Sequence, residues 1–270
     1  MLSQQTIYLE KALLPEGWRD NIAISLSDDG TITDVSRMPQ HKDKSAVYRG
    51  AAIPGIPNVH SHAFQRAMTG LSEYKVSKRD TFWTWREAMY RLASQITPPD
   101  LCAIASQLYL EMIKAGYTSV GEFHYIHHDT DGRGYPRMST LSDSIVAAAC
   151  RAGIGLTHIP ALYMNAGFGN QPLQAEQRRF GNTVQQYLKL MEAVSKSAKG
   201  AVKTGMALHS LRAVAPDAIK EVLEAYGEIS SGSPIHIHIA EPVSEVEAWH
   251  RGTEISLGVR LLYYAEMDVR

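Results

Sequence analysis

Two histidines one residue apart, His60 and His62, end an apolar run of this chain. In a β-strand, residues i and i+2 point to the same side, so the two imidazoles can converge on one point beyond the strand end. Two neutral imidazoles in that arrangement supply half of the ligands of a zinc-type site. Because a His-x-His spacing also arises by chance, the metal interpretation depends on further ligands elsewhere in the chain.

Other apolar runs also end in polar side chains that can do chemistry. If the runs are parallel strands of one barrel, their carboxyl ends meet at one edge and bring these side chains together. Each side chain taken alone is more often a core or surface residue than a functional group, but their shared position at strand ends favours a metal-dependent site. They are Glu122, His124 and Tyr125 after one run, His209 and Arg212 after a second, and His236, His238 and Glu241 after a third.

The third of these runs leaves two choices open. His236 and His238 share one strand face, so their spacing does not decide which of them is a metal ligand. Glu241 follows three residues after His238. A glutamate beside a metal can take a proton from water and return it to a leaving group. A glutamate in the first turn of a helix is also favoured there by the helix dipole alone.

The rhythm of apolar and polar residues predicts the elements that position these side chains. Short strands near 6–9, 21–26 and 31–35 predict a small β layer. From residue 51 onward, the pattern is typical of parallel βα units and predicts an α/β fold of the (β/α)8-barrel type, with a doubly wound sheet as the alternative. The predicted strands lie near 56–60, 117–125, 153–163, 205–214 and 234–240, and the predicted helices near 97–115, 140–151, 183–198, 215–226 and 242–249.

The composition disfavours several classes of protein. With 270 residues, 44% of them hydrophobic, the chain can bury a large core, and its net charge of -1 gives no reason to expect nucleic acid or an anionic membrane as a partner. We find no signal peptide pattern and no apolar run long enough to span a membrane. Cys102 and Cys150 are expected to be buried free thiols, which fits a reducing cytoplasm.

The longer motifs resemble a known family. The run PGIPNVHSH at 54–62, followed much later by HIAE at 238–241, resembles the amidohydrolase superfamily, whose metal-dependent deaminases and hydrolases combine a (β/α)8 barrel with a small β-sandwich. Residues 60–68, 82–86, 115–128 and 209–212 are similar to those of the formimidoylglutamate deiminases, a group within that superfamily. The resemblance implies part of the β-sandwich at 1–50 and a partial barrel of about five βα units at 51–270.

The resemblance also implies a site and a reaction. One Zn²⁺ would be held by a set of histidines, a glutamate would carry protons, and several polar residues would contact a small substrate with two carboxylates. The implied reaction is hydrolytic deimination of N-formimino-L-glutamate to N-formyl-L-glutamate and ammonia, without an organic cofactor. The metal ligands would be His60, His62 and His238, the proton carrier Glu241, and the substrate contacts Gln65, Arg86, Tyr125, His209 and Arg212.

Some alternatives stay open. The family completes its site with a histidine after the sixth strand and an aspartate after the eighth, neither of which is assigned within these 270 residues. We therefore expect a C-terminally truncated chain, inactive or poorly folded on its own. The competing functions are another amidohydrolase deaminase that acts on an aromatic base such as guanine or cytosine, and a non-catalytic metal-binding fragment. Three histidines also suit iron or nickel, and a homodimer is one option for the assembly.

Overall fold

The structure of the chain is a computed structural model, and it describes residues 5–39, 47–71, 82–229, 232–239 and 247. The chain divides into two compact units, Met1–Ile56 and Pro57–Arg270. The domains proposed from the sequence, 1–50 and 51–270, remain a proposal.

The first unit contains a four-stranded sheet with the order β3-β2-β1-β4. Three of its strands overlap the predicted β layer, whereas β4, which runs parallel to β1, is not predicted. The antiparallel register of β1 and β2 pairs Leu9 with Ile22, and these two side chains form a small buried cluster with Ala12. The strands are β1 (Gln5–Leu14), β2 (Gly17–Leu26), β3 (Ile32–Arg37) and β4 (Val47–Ala52).

The second sheet has six strands, five of which follow one another in chain order as β5-β6-β7-β9-β10, while β8 pairs with β7. A doubly wound sheet reverses its direction of growth, whereas here each new strand joins the same edge, as in a (β/α)8 barrel. The predicted fold class is therefore confirmed, as a partial barrel. The strands are β5 (Ile56–Ser61), β6 (Tyr117–His124), β7 (Gly155–Leu162), β8 (Val202–Thr204), β9 (Met206–Ser210) and β10 (Ile235–His238).

Helices connect these strands. The second helix shows how closely local chemistry sets the boundaries, since the Thr97 side chain accepts a hydrogen bond from Asp100 N, Pro98 occupies the first turn, and Gly116 adopts a positive φ of 93° after the last turn. The predicted helix at 242–249 lies outside the described residues, apart from residue 247. The helices are α1 (Phe82–Ala93), α2 (Pro98–Lys114), α3 (Thr140–Ala152), α4 (Val184–Ser195) and α5 (Pro216–Ile229).

The first helix, α1, is not predicted from the sequence. Its opening residues are rich in aromatic side chains, which favour strands, and this obscures the helical spacing of Trp85, Met89 and Ala93. Met89 and Ala93 are buried, and Trp85 packs against the same core. The helix therefore presents one apolar side inward and carries Arg86 at its N-terminal end.

The two cysteines are less buried than the sequence predicts. Cys102 and Cys150 are free, as expected, but Cys102 is half-buried and Cys150 is exposed. The buried stripe of α3 runs through Ile145, Ala148 and Ala149, and Cys150 follows it on the solvent side. The prediction of buried thiols is therefore wrong. Among the described residues, no helix is both long and apolar enough to cross a membrane.

Gly121 allows β5 and β6 to approach closely. A Cβ atom at this position would lie 2.7 Å from Val59 O and 3.1 Å from Val59 C, which are backbone atoms and cannot move without shifting β5. Because Val59 precedes His60, the glycine also fixes the strand that carries the first histidine pair.

We expect Gly121→Ala to lower the free energy of unfolding by about 1–3 kcal/mol, because the added methyl group forces the two strands apart. Gly227→Ala is the matched control, since Gly227 lies in α5 and no atom of the described residues lies within 4 Å of its Cβ position. The control should be neutral or stabilising by about 0.5–1 kcal/mol. Urea unfolding followed by circular dichroism measures both, and equal effects of the two substitutions would contradict this account.

Candidate metal centre and ligand pocket

Three histidine side chains converge at the carboxyl ends of β5 and β10. His60 Nε2 lies 3.1 Å from His62 Nε2 and 3.1 Å from His238 Nε2. The ligand atoms of all three residues lie within 4.8 Å of one another. Two of these residues come from a single strand end and the third from a strand almost 180 residues later, as the interpretation of parallel strands requires.

The backbone of β6 fixes the orientation of one ring. His62 Nδ1 lies 2.8 Å from Phe123 O, which can only accept, so Nδ1 carries the hydrogen and Nε2 presents a lone pair to the cluster. The Phe123 ring stacks on His238 at a centroid distance of 4.2 Å and an interplanar angle of 17°. Phe123 therefore orients two of the three histidines, one through its carbonyl group and one through its ring.

All three imidazoles are held neutral. Burial, with a further contribution from neighbouring imidazoles, lowers the pKa of His62 to about 3 and that of His238 to about 4. Burial and the proximity of His236 lower the pKa of His60. Neutral imidazole is the form that coordinates a metal ion.

The donor set fits a divalent metal ion. Nitrogen ligands at the Zn–N distance of a tetrahedral site lie about 3.3 Å from one another, which is close to the spacing of the His60 pairs. Among the described residues, His238 Nδ1 is buried without a hydrogen-bond partner, whereas its Nε2 faces the cluster. His236 instead stacks beside His60 with ring centroids 6.2 Å apart. Among the described residues, the geometry therefore favours His238 over His236 as the third ligand.

A pocket of about 100 Å³ lies beside the cluster. It is lined by His62 and His238 and by every residue that the sequence analysis assigns to substrate contact, namely Gln65, Arg86, Tyr125, His209 and Arg212. Those five residues come from the turn after β5, from α1, and from the ends of β6 and β9. The fold thus brings these five residues together beside two of the three histidines, and their role in substrate contact stays a prediction.

Two polar contacts define the inner part of this pocket. Gln65 Nε2 donates to Tyr125 Oη at 3.0 Å. His209 is buried with its ring 5.2 Å from that of His238 and 5.4 Å from that of Tyr125. Burial, together with His238 and Arg212, holds the pKa of His209 well below its usual range. His209 is therefore a neutral ring with one donor and one acceptor nitrogen.

A larger chamber of about 830 Å³ adjoins the pocket. Arg86, Tyr90 and Arg212 line both spaces, so these three side chains stand between the chamber and the histidines. Guanidinium groups in such a position favour the entry of an anion and can bind a carboxylate in a bidentate manner.

Two of the strand-end residues do not face the pocket. Side chains of β6 alternate, so Phe123 and Tyr125 point towards the histidine cluster whereas Glu122 and His124 point the other way. His124 packs against the His158 ring, with centroids 5.2 Å apart. Glu122 Oε1 accepts a hydrogen bond from Ala63 N at 2.6 Å, and burial raises its pKa to about 8. The expectation that both side chains converge on the site is therefore wrong, although Glu122 holds the turn that follows His62.

Several residues of the pocket and of the chamber are not predicted from the sequence. Tyr90 follows Arg86 by one helical turn, a signal that becomes visible only once α1 is recognised as a helix. Tyr163 ends the third predicted barrel strand and could have been found by the same strand-end argument that identifies His209. Gln177 lines the chamber and ends a short 3-10 helix, Ala175–Gln177, and Phe180 of the pocket follows it, where no periodicity marks either residue. Glu241, the expected proton carrier, lies outside the described residues.

Comparisons with known proteins agree with this architecture. The model of the Amidohydrolase family matches residues 51–261. A formimidoylglutamate deiminase from Pseudomonas aeruginosa is 49% identical over 247 residues, which are 90% of this chain and 54% of the relative. The crystal structure of an amidohydrolase from Brucella melitensis is 39% identical, with a TM-score of 0.87 over 97% of this chain and 57% of that one.

A more distant solved structure shares the fold alone. The atrazine chlorohydrolase from Arthrobacter aurescens TC1, complexed with zinc, is 16% identical, with a TM-score of 0.71 over 96% of this chain and 58% of that one. The chain thus spans 54–58% of the length of these three proteins. The match of the family model, the curated relative and the shared barrel together show that the chain belongs to the amidohydrolase family.

Proposed function

We propose that this chain carries the binding half of a formimidoylglutamate deiminase, an enzyme of histidine degradation. The reaction would be hydrolysis of N-formimino-L-glutamate to N-formyl-L-glutamate and ammonia. The observation that supports it most is the single pocket that joins two of the clustered histidines to two arginines. The 49% identity to the deiminase from Pseudomonas aeruginosa supports the same substrate.

Charge in the pocket supports a dicarboxylate ligand. Arg86 and Arg212 are half-buried at the boundary of the two spaces, where a carboxylate would lose water and gain charge-assisted hydrogen bonds. Two guanidinium groups complement two carboxylates, whereas a neutral aromatic base offers no anionic oxygen for them to bind. The pocket therefore favours the deiminase over a deaminase of an aromatic base.

His60, His62 and His238 would hold a divalent metal ion, for which we propose Zn²⁺. When bound, such an ion lowers the pKa of water so that hydroxide is available near neutral pH. The chain's own residues then orient the substrate. Tyr125, held by Gln65, and the neutral ring of His209 lie between the histidine cluster and the arginines, where the formimino group of a bound substrate would reach.

The leaving group needs a proton. Glu241 is proposed to supply it, because it follows His238 by three residues and a carboxyl group can accept a proton from water and pass it to the departing nitrogen. The His209 ring, which keeps one N–H hydrogen at neutral pH, would donate a hydrogen bond to the substrate and not a proton.

The first test concerns the metal. We expect His238→Gln to weaken Zn²⁺ binding by roughly 100-fold or more, because one of three ligands is lost. His236→Gln is the matched control and should change the affinity by no more than about threefold, since His236 lies outside the cluster. Competition against a fluorescent zinc chelator measures both. If the His236 substitution weakened Zn²⁺ binding more than the His238 substitution, the assignment of His238 as the third ligand would be wrong.

The second test concerns the reaction. We would place this chain in a chimera in which it replaces the matching part of the Pseudomonas aeruginosa deiminase, and measure ammonia release from N-formimino-L-glutamate with Zn²⁺ supplied. The expected result is turnover whose KM rises about 10- to 100-fold in Arg86→Met and Arg212→Met, because each removes a charged hydrogen-bond donor to a carboxylate.

Two outcomes would contradict the proposal. A folded, zinc-loaded chimera that releases no ammonia would refute the deiminase and favour a non-catalytic role for this half. Faster release from 5′-methylthioadenosine, with KM unchanged in the arginine variants, would assign the pocket to an aromatic base instead.

A further inference from the structure

Gln177 is a buried residue at the centre of a hydrogen-bond network between the two arginines. Its side chain is 1% exposed. Gln177 Oε1 accepts a hydrogen bond from Gln174 N at 3.0 Å, which fixes the orientation of the amide. The Nε2 group consequently faces two tyrosines that line the pocket, and it donates to Tyr163 Oη at 2.9 Å and to Tyr90 Oη at 3.2 Å.

Each tyrosine also accepts a hydrogen bond from one arginine. Arg86 Nε donates to Tyr90 Oη at 2.5 Å, and Arg212 Nη1 donates to Tyr163 Oη at 3.3 Å. A phenolic oxygen can accept two hydrogen bonds and donate one. With both lone pairs occupied by Gln177 and an arginine, each hydroxyl hydrogen must be directed at a different acceptor. Among the described residues, the structure gives neither tyrosine such an acceptor.

Both tyrosines belong to the wall of the space where a ligand would lie. Tyr90 and Tyr163 both line the pocket, and Tyr90 also lines the outer chamber. Burial, with a contribution from Tyr163, raises the pKa of Tyr90 to about 12, so its hydroxyl keeps its hydrogen at neutral pH. Because both oxygens bond to one Gln177 nitrogen, they can be no more than about 6 Å apart, a span that suits the two carboxylates of a five-carbon chain.

We propose that Tyr90 and Tyr163 donate hydrogen bonds to the carboxylates of a small dicarboxylate ligand, and that Gln177 is the positioning residue that directs both hydroxyl hydrogens towards it. The inference deepens the proposed function and rests on it for the ligand class. Each carboxylate would be bound by one arginine and one tyrosine, and the shared glutamine would set the spacing of the two pairs.

The test is isothermal titration of glutarate into the zinc-loaded 270-residue chain, or into the chimera if the chain alone does not remain folded. Tyr90→Phe and Tyr163→Phe keep the ring and remove the hydroxyl group, and each should raise the Kd for glutarate by roughly 10-fold or more. Tyr117→Phe is the matched control, because Tyr117 starts β6 at the opposite end of that strand, and its Kd should equal that of the unaltered chain.

Gln177→Glu tests the positioning role. The glutamate carboxylate can still accept a hydrogen bond from Gln174 N. Its second oxygen, however, accepts hydrogen bonds from the two tyrosine hydroxyl groups, whereas Nε2 of Gln177 donates to them. Both hydroxyl hydrogens then point to the glutamate and away from the ligand. We expect a loss of glutarate affinity larger than that of either tyrosine variant. When Gln177→Glu is combined with both Tyr90→Phe and Tyr163→Phe, it should reduce the affinity for glutarate much less than it does alone, because its effect acts through the two hydroxyl groups. A merely structural role would give additive losses and lower thermal stability.

The outcomes separate this inference from the proposed function. Tyrosine- and glutamine-dependent binding of glutarate without ammonia release by the chimera would uphold the inference and refute the deiminase. Ammonia release with glutarate binding unchanged in Tyr90→Phe and Tyr163→Phe would overturn the inference and leave the deiminase intact. Failure of the folded protein to bind glutarate at all would overturn the inference.

Discussion

The hydrogen bond between His62 Nδ1 and Phe123 O is the contact on which the site depends. It fixes the tautomer of His62, so that Nε2 presents a lone pair to the point where the other two imidazoles converge. It also ties the end of β5 to β6, and the Phe123 ring in turn supports His238. The candidate metal centre, built from two distant strands, thus takes its geometry from one residue of β6, the strand next to β5.

The two sides of β6 carry buried groups with different roles, one at the candidate site and one in holding the chain around it. On one side of β6, Phe123 and Tyr125 face the histidines and the pocket. On the other, the buried carboxyl group of Glu122 holds the turn after His62, and its raised pKa reflects the cost of ionising a carboxyl group away from water. Burial acts on the imidazoles in the opposite direction, because it keeps them neutral and ready to bind a metal ion.

Much of the fold follows from sequence because parallel βα units have strong local signals, such as the capping box at Thr97 and the periodic apolar positions of α2. The three histidines of the candidate metal centre lie at predicted strand ends, although spacing alone leaves His236 and His238 equivalent. Two features that are not predicted from the sequence depend on tertiary contacts. The orientation of the Gln177 amide depends on Gln174 N and on two tyrosines from other elements. Burial of one side of α1 stabilises the helix although its aromatic residues favour a strand.

The most direct test of the account is X-ray absorption at the zinc edge of the zinc-loaded chain. If His60, His62 and His238 hold the ion, the spectrum will show a first shell of nitrogen and oxygen at about 2.0–2.1 Å, with the outer-shell scattering of three imidazole rings. Substitution of His238 by glutamine should remove one ring from that pattern. A first shell containing sulfur at about 2.3 Å, or one without imidazole scattering, would contradict the central claim that these three side chains form the metal centre.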